Sequence, residues 1–389
     1  MIEFKLPSLG SDMEEGTLLE WKVQPGDKVK RGDVVAVVDT TKAAVDVEIW
    51  EDGTMHEWLV KPGETIPVGT VLALLLALGE TPETAVRPQP APTRPAAPAM
   101  PVAPAAPTER AVAPAERRRI SPAARKHAAD LGVNPDMVDG TGPGGAVTVE
   151  DIDRAAREAK AAPAAPRDRA AEMRKAIAAG MSRSKREIPH YYLSETTPMQ
   201  RATEWLAREN EKRPITGRLL MAVLQLKAVA IALGKFPDLN GVFRDGAHQP
   251  SSAAHVGVAI SLRQGGLIAP AIHDVQTRNL DELMKSLSDL VQRARAGSLK
   301  SSEMSDPTIT VTNLGETGVE AVFPIIYPPQ VAIVGFGRIA PRPWVQDGEV
   351  RVLPTVVASL GADHRVSDGH RGALFLAEIA KLLQEPEKL

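Results

Sequence analysis

Gly16-Thr17-Leu18-Leu19-Glu20-Trp21-Lys22-Val23-Gln24-Pro25-Gly26-Asp27 returns as Gly53-Thr54-Met55-His56-Glu57-Trp58-Leu59-Val60-Lys61-Pro62-Gly63-Glu64, and the register continues from Gly32 to Gly69 and from Val34 to Val71. The offset is a constant 37 residues. Each half alternates apolar and polar residues with the period of a strand and breaks at a Pro-Gly turn. Two similar sheets laid face to face would bury both apolar faces, so the repeat predicts a small β-sandwich with quasi-twofold symmetry. Between the halves, Val37-Val38-Asp39-Thr40-Thr41-Lys42-Ala43-Ala44-Val45-Asp46-Val47 reads as two short strands around a tip that carries one lysine, and Lys42 is expected to stand exposed on a hairpin.

Outward from the sandwich the composition changes. Of the 33 prolines in the 389-residue chain, 10 lie between Thr81 and Glu116, among alanines and with almost no large apolar residue. Such a stretch cannot build a core and favours extended conformations, so roughly 35 residues could reach on the order of 100 Å. A second Ala/Pro stretch, Lys160 to Arg167, separates a small block from a large one. The predicted organisation is a sandwich at 1–79, a linker at 80–116, a small unit at 117–157, a linker at 158–169 and a large unit at 170–389. That agrees with a length too great for one hydrophobic core.

The small block starts a helix at Ser121-Pro122, with the serine as N-cap and Gly132 as terminator, and a second helix runs from Thr148 toward Arg157. The large block reads as mixed α/β. An apolar helix at Leu219–Leu233 stops before Gly234, and an amphipathic helix at Leu280–Ala296 lies between Asn279 and Gly297. Strand-like runs are Val256–Ser261, Thr308–Asn313, Val331–Gly335 and Val356–Leu360.

Composition excludes several functions. A formal net charge of −3 argues against general nucleic-acid binding. The absence of cysteine removes a disulfide framework, a Cys-ligated metal and a Cys nucleophile, so any thiol chemistry must arrive on a substrate or prosthetic group, and no metal is expected. No targeting pattern and no apolar run of about 18 residues stand out, which predicts a cytoplasmic protein with no membrane partner.

The repeat with its Thr-Lys-Ala tip resembles the lipoyl domain of 2-oxo-acid dehydrogenase complexes, in which the tip lysine carries lipoate by an amide bond. Arg117-Arg118-Arg119-Ile120-Ser121-Pro122 and Gly140-Thr141-Gly142-Pro143-Gly144-Gly145 resemble the peripheral subunit-binding domain of the acyltransferase (E2) chains of those complexes. Ile188-Pro189-His190-Tyr191-Tyr192-Leu193, Gly265-Gly266-Leu267-Ile268-Ala269-Pro270 and Tyr327-Pro328-Pro329-Gln330 resemble their catalytic domains. The resemblance implies a multidomain chain: an all-β lipoyl sandwich, a small helical subunit-binding domain and an α/β catalytic domain like that of chloramphenicol acetyltransferase. It implies lipoate on Lys42 and coenzyme A as substrate. It also implies docking of Arg118, Arg119, Arg125 and Lys126 on the 2-oxo-acid dehydrogenase (E1) or the dihydrolipoamide dehydrogenase (E3). Homotrimers with active sites between subunits would build a cubic or dodecahedral core.

The chemistry is expected in Asp363-His364-Arg365-Val366-Ser367-Asp368-Gly369, which resembles the His-x-x-x-Asp-Gly motif of the same enzymes. Acyl transfer between thiols needs a base, because a thiol is mostly protonated near neutral pH, and a donor for the developing oxyanion. The resemblance makes His364 the base and Asp368 a structural carboxylate. Thr312, in Thr310-Val311-Thr312-Asn313-Leu314-Gly315, stands where the family has an oxyanion-binding serine. Acetyl is the first expected acyl group, with branched-chain acyl and succinyl as alternatives. Two rivals are a non-catalytic organiser, against which His364 and Asp368 argue, and a biotin carrier, which would not need the motif.

Overall fold

A computed structural model describes residues 1–9, 13, 15–40, 44–77, 120–131, 133–161, 169–262 and 266–389. They fall into two compact units, Met1–Gln89 with Asp168–Leu389, and Pro90–Arg167.

In the first unit, β1 (Ile2–Lys5), β2 (Glu15–Trp21), β3 (Lys28–Val29), β4 (Val34–Asp39), β5 (Ala44–Glu48), β6 (Gly53–Trp58), β7 (Thr65–Pro67) and β8 (Val71–Leu76) form the sandwich. One sheet runs β1-β8-β6-β3 and the other contains β5-β4-β2-β7. The repeat is visible strand by strand. Its equivalent positions fill one core: Leu18 with Met55, Val29 with Ile66, Val35 with Leu72 and Val38 with Leu75 are all buried. Trp21 and Trp58 also occupy equivalent positions and stack on each other, centroids 5.6 Å apart and rings 2° from parallel. The turn glycines obey the same symmetry: Gly26 and Gly63 have φ of 102° and 92°, and Gly32 and Gly69 have 92° and 86°, a region that side-chain-bearing residues rarely enter. β4 and β5 pair antiparallel as far as Asp39 with Ala44. Lys42 itself lies outside the described residues.

The rest of this unit comprises α3 (Arg169–Glu187), β9 (His190–Pro198), α4 (Gln200–Glu211), α5 (Met221–Leu233), β10 (Gly241–Arg244), β11 (Ala247–Pro250), β12 (Val256–Val258), β13 (Ile260–Ser261), β14 (Leu267–Ile268), β15 (Ala271–Ile272), α6 (Leu280–Ala296), β16 (Leu299–Lys300), α7 (Ser301–Ser305), β17 (Ile309–Asn313), β18 (Ala332–Phe336), β19 (Ala340–Gln346), β20 (Glu349–Asp363) and α8 (Gly369–Leu383). A mixed seven-stranded sheet has the order β15-β12-β17-β18-β20-β19, with β9 also on β20. The strand expected at Val356–Leu360 is the centre of a 15-residue strand, because β18 and β9 flank its second half and the β19 hairpin its first. α6 begins in a capping box, Asn279 with Glu282, and ends at Gly297 in the left-handed region.

Apart from Gln225 and Lys227, α5 is apolar all round, and it is largely buried, as a core helix must be. Together with the turn before it, Ile215–Leu233 has mean hydropathy 1.6 and is long and apolar enough to cross a membrane, which corrects the expectation that no such run exists. Here it packs against α6 and α8 in the core. Its buried ammonium, Lys227 Nζ, donates to the carbonyls of Val275, Gln276 and Arg278 just before α6.

The second unit has α1 (Pro122–Leu131), in which the Ala124 amide donates to the Ser121 hydroxyl, and α2 (Val149–Ala161). Here α2 extends past the expected boundary at 157, since the alanines that begin the second linker are themselves good helix formers. Asp151 organises the unit. Fully buried, it accepts hydrogen bonds from the amides and hydroxyls of Thr141 and Thr148, and the two amides chiefly hold its carboxyl well below the usual carboxylate range. The glycine loop is compressed against itself: a Cβ on Gly140 would meet backbone atoms of Gly145 and Ala146 at 2.5 Å.

Candidate active site

His364 lies in the turn between β20 and α8. Its amide donates to the carbonyl of Pro189 at 3.0 Å, and Asp363, the residue before it, pairs with His190 at the start of β9. The Tyr191 ring meets the His364 ring edge-on, centroids 5.3 Å apart, and the Tyr191 hydroxyl shares a 2.8 Å hydrogen bond with Ser367. Burial pushes the Tyr191 phenol up, so it stays protonated. The imidazole is thereby held at an exposed edge.

Both neighbours of His364 are clamped. Asp363 is fully buried, and the Arg365 guanidinium donates to it from Nε at 3.0 and 3.1 Å and from Nη2 at 2.6 Å. That guanidinium lies 4.0 Å from the ring centroid of Phe243 on β10. The turn closes as the Val366 and Ser367 amides donate to the Asp363 carbonyl. Asp368 is the N-cap of α8 and accepts from the Arg371 amide at 2.9 Å. Its carboxylate holds the end of the loop. His190 braces the other wall: Nδ1 donates to the Ile188 carbonyl and Nε2 accepts from the Ile326 amide, while burial depresses its pKa and keeps it neutral. Sequence reading missed the contributions of Tyr191, Phe243 and Arg365. The Asp-His-Arg order carried the one available signal, an acid and a base two positions apart on either side of the histidine.

Thr312 is half-buried on β17, and among the described residues its hydroxyl has no hydrogen-bond partner. Strand alternation puts Thr310 and Thr312 on one face and Ile309 and Val311 in the core. The next residue, Asn313, is fixed by Gln225 on α5 and by the Gly315 amide.

A single chain does not bring Thr312 and His364 together. Thr312 pairs with Gly335, and Gly335 with Ser359, so the threonine is level with Ser359 and two strands away from β20. His364 is five residues further along, roughly 16 Å down the strands and about 10 Å across them.

A model described as 2-oxoacid dehydrogenases acyltransferase (catalytic domain) matches residues 164–389. The chain belongs to this acyltransferase family. Two further models match this acyltransferase, one described as biotin-requiring enzyme at 2–75 and an e3 binding domain at 118–153. A curated relative is the dihydrolipoyllysine-residue acetyltransferase component of the pyruvate dehydrogenase complex of Staphylococcus aureus, 30% identical over all of this chain and 98% of the relative. Among solved structures, a probable dihydrolipoamide acetyltransferase from Listeria monocytogenes is 29% identical with a TM-score of 0.53, covering 55% of this chain and 92% of that one. The dihydrolipoamide acetyltransferase of Azotobacter vinelandii is 27% identical with a TM-score of 0.53, covering 58% and 98%.

The other expected site residues of this acyltransferase are divided. Arg125 and Lys126 are exposed on α1, whereas Arg118 and Arg119 lie outside the described residues, as does Lys42. The hairpin leading to Lys42 suits a tethered carrier, because Val38, Val45 and Val47 anchor it in the sandwich core.

Proposed function

We propose that this acyltransferase moves acetyl groups between a lipoyl group on Lys42 and coenzyme A, in an active site built by two copies of the chain, His364 from one and Thr312 from the other. The observation that carries the reading is the separation of the two residues within one chain, set against the chemical need for both at one carbonyl. The lipoyl group, when bound, supplies the thiol that carries the acyl group.

In the direction toward coenzyme A, His364 accepts the proton of the attacking thiol as its sulfur bonds to the thioester carbonyl carbon. The Thr312 hydroxyl of the neighbouring copy donates to the oxygen as it becomes negative. The carbonyl then reforms, the old carbon–sulfur bond breaks, and His364 returns the proton to the departing sulfur. Tyr191, Asp363 and Asp368 hold the imidazole and its loop without moving a proton. In the Azotobacter vinelandii enzyme, a serine, a histidine and an asparagine have been investigated in the catalytic mechanism, and their separations along the chain equal those of Thr312, His364 and Asp368 here.

Acetyl is favoured over branched-chain acyl and succinyl by the Staphylococcus aureus relative, which covers the whole chain. The same comparison supports a place in a pyruvate dehydrogenase complex, for which the cytoplasm is our proposed compartment. There Arg118, Arg119, Arg125 and Lys126 would bind the dehydrogenase or the dihydrolipoamide dehydrogenase, with trimers as the unit of the core.

Subunit mixing tests the shared site. His364→Ala alone loses about 10²–10⁴-fold in transfer from acetyl-coenzyme A to dihydrolipoamide, and Thr312→Ala loses less. Co-assembled at equal amounts, the two variants recover about one quarter of the parent rate, since random pairing joins an intact His364 to an intact Thr312 at that frequency. Activity no higher than the mean of the two single variants would exclude a site shared between copies.

A further inference from the structure

We infer that the sandwich docks on the acyltransferase unit through the outer edge of β5, with Glu48 as the key and Ser301-Ser302 as its socket. This rests on the reading of the sandwich as the acyl carrier.

β5 is the edge strand of the sandwich's own four-strand order β5-β4-β2-β7, and β16 adds to it in parallel as a fifth strand, Leu299 against Val45 and Lys300 against Asp46. Edge addition supplies backbone hydrogen bonds, and neighbouring side chains supply selectivity. Glu48, at the end of the strand, is only 7% exposed. Its carboxylate accepts from the Ser302 hydroxyl at 2.5 Å, the Ser302 amide at 3.3 Å and Lys300 Nζ at 3.3 Å, and its own amide donates to the Ser301 hydroxyl at 3.0 Å. A carboxylate enclosed without such partners would oppose contact, so this complement of donors marks a specific fit.

The socket is held independently of the sandwich. Glu303 accepts from the Lys300 amide at 2.9 Å and from both terminal nitrogens of Arg293, which also reaches Asp289, so α6 and α7 present the serines already ordered. Beside the socket is a cavity of about 370 Å³ lined by Glu48, His273, Arg278, Arg293 and Lys300. A two-residue ladder with a polar margin suits a carrier that must arrive and leave.

The placement is also apt for delivery. A second cavity, about 140 Å³, lies between Ser8 of the sandwich and Val242, Arg244, Tyr327 and Pro329. Phe243, between two of these residues, carries the Arg365 guanidinium next to His364. The docked sandwich therefore stands at the His364 end of the sheet, and the strand that docks is the one that leads away from the Lys42 tip.

The natural absence of cysteine allows a clean test in the full-length chain. Registered neighbours on paired strands lie about 5 Å apart, within reach of a disulfide. Asp46→Cys with Lys300→Cys, oxidised and read as linked peptides by mass, should form at least tenfold faster than Asp46→Cys with Lys212→Cys. Adding Glu48→Arg, or Ser302→Asp on the opposite side, should slow it at least tenfold, while transfer to free dihydrolipoamide by Glu48→Arg stays at the parent rate. A disulfide no faster than the control, or a rate unchanged by both charge variants, overturns the docking surface. Failure of the parent to acylate free dihydrolipoamide would instead remove the acyltransferase reading and leave the disulfide result standing.

Discussion

Replacing Arg365 by methionine separates the structural support of His364 from its chemistry. In the parent, Asp363 is fully buried and takes three guanidinium hydrogen bonds plus one from the Arg365 amide at 2.9 Å. Arg365→Met keeps the amide and much of the side-chain length but leaves the carboxylate without its countercharge. Stranding the buried carboxylate costs about 2–3 kcal/mol, less than for a fully enclosed pair because the Arg365 side chain is 33% exposed and water can take its place, against a total stability of about 5–15 kcal/mol. For a unit of this size each kcal/mol moves the melting midpoint by about 2–4 °C, so a drop of about 4–12 °C is expected in calorimetry of the acyltransferase transition. The rate of acetyl transfer should fall as well, because His364 sits between the two members of the pair. The decisive comparison is the double variant Asp363→Asn with Arg365→Met, which no longer buries an unpaired charge and should recover more than half of the lost stability. A double variant as unstable as Arg365→Met would refute the stranded-charge account and assign the loss to packing of the side chain on Phe243.

Two other perturbations have worked-out outcomes. Asp368→Ala should destabilise the start of α8 by about 0.5–2 kcal/mol and lower the transfer rate, while Asp368→Asn, an equally good N-cap, should keep the stability; equal loss in both would exclude capping as the role of the carboxylate. Asp151 has a folded-state pKa below its unfolded value, so its stabilisation is complete above the unfolded value of about 3.9 and is lost as pH falls through the folded one. The helical circular dichroism signal from α1 and α2 should therefore weaken on acidification below about pH 4 in the parent. Asp151→Asn should be less stable at neutral pH and less sensitive to acid, and parallel acid curves would count against this assignment.

What the sequence determined by itself was whatever recurs locally. The 37-residue repeat specified the sandwich because strand alternation and turn glycines act over a few residues, and the buried pairs and the Trp21–Trp58 stack follow from the same offset. The capping residues of α6 were legible for the same reason, and the motif that singles out His364 is equally local, spanning a single turn. The extension of α2 was not, because the Ala/Pro composition that ends a folded unit also contains good helix formers. Only the tertiary structure decided the rest. The clamp on His364 draws Tyr191 and Phe243 from far up the chain, and Glu48 meets Ser302 across a gap of 254 residues. The register of β17, β18 and β20 separates Thr312 from the histidine it is proposed to serve. Contacts of that kind depend on which strands become neighbours, and strand order is set by burying the whole core at once, which leaves no periodic mark on either partner.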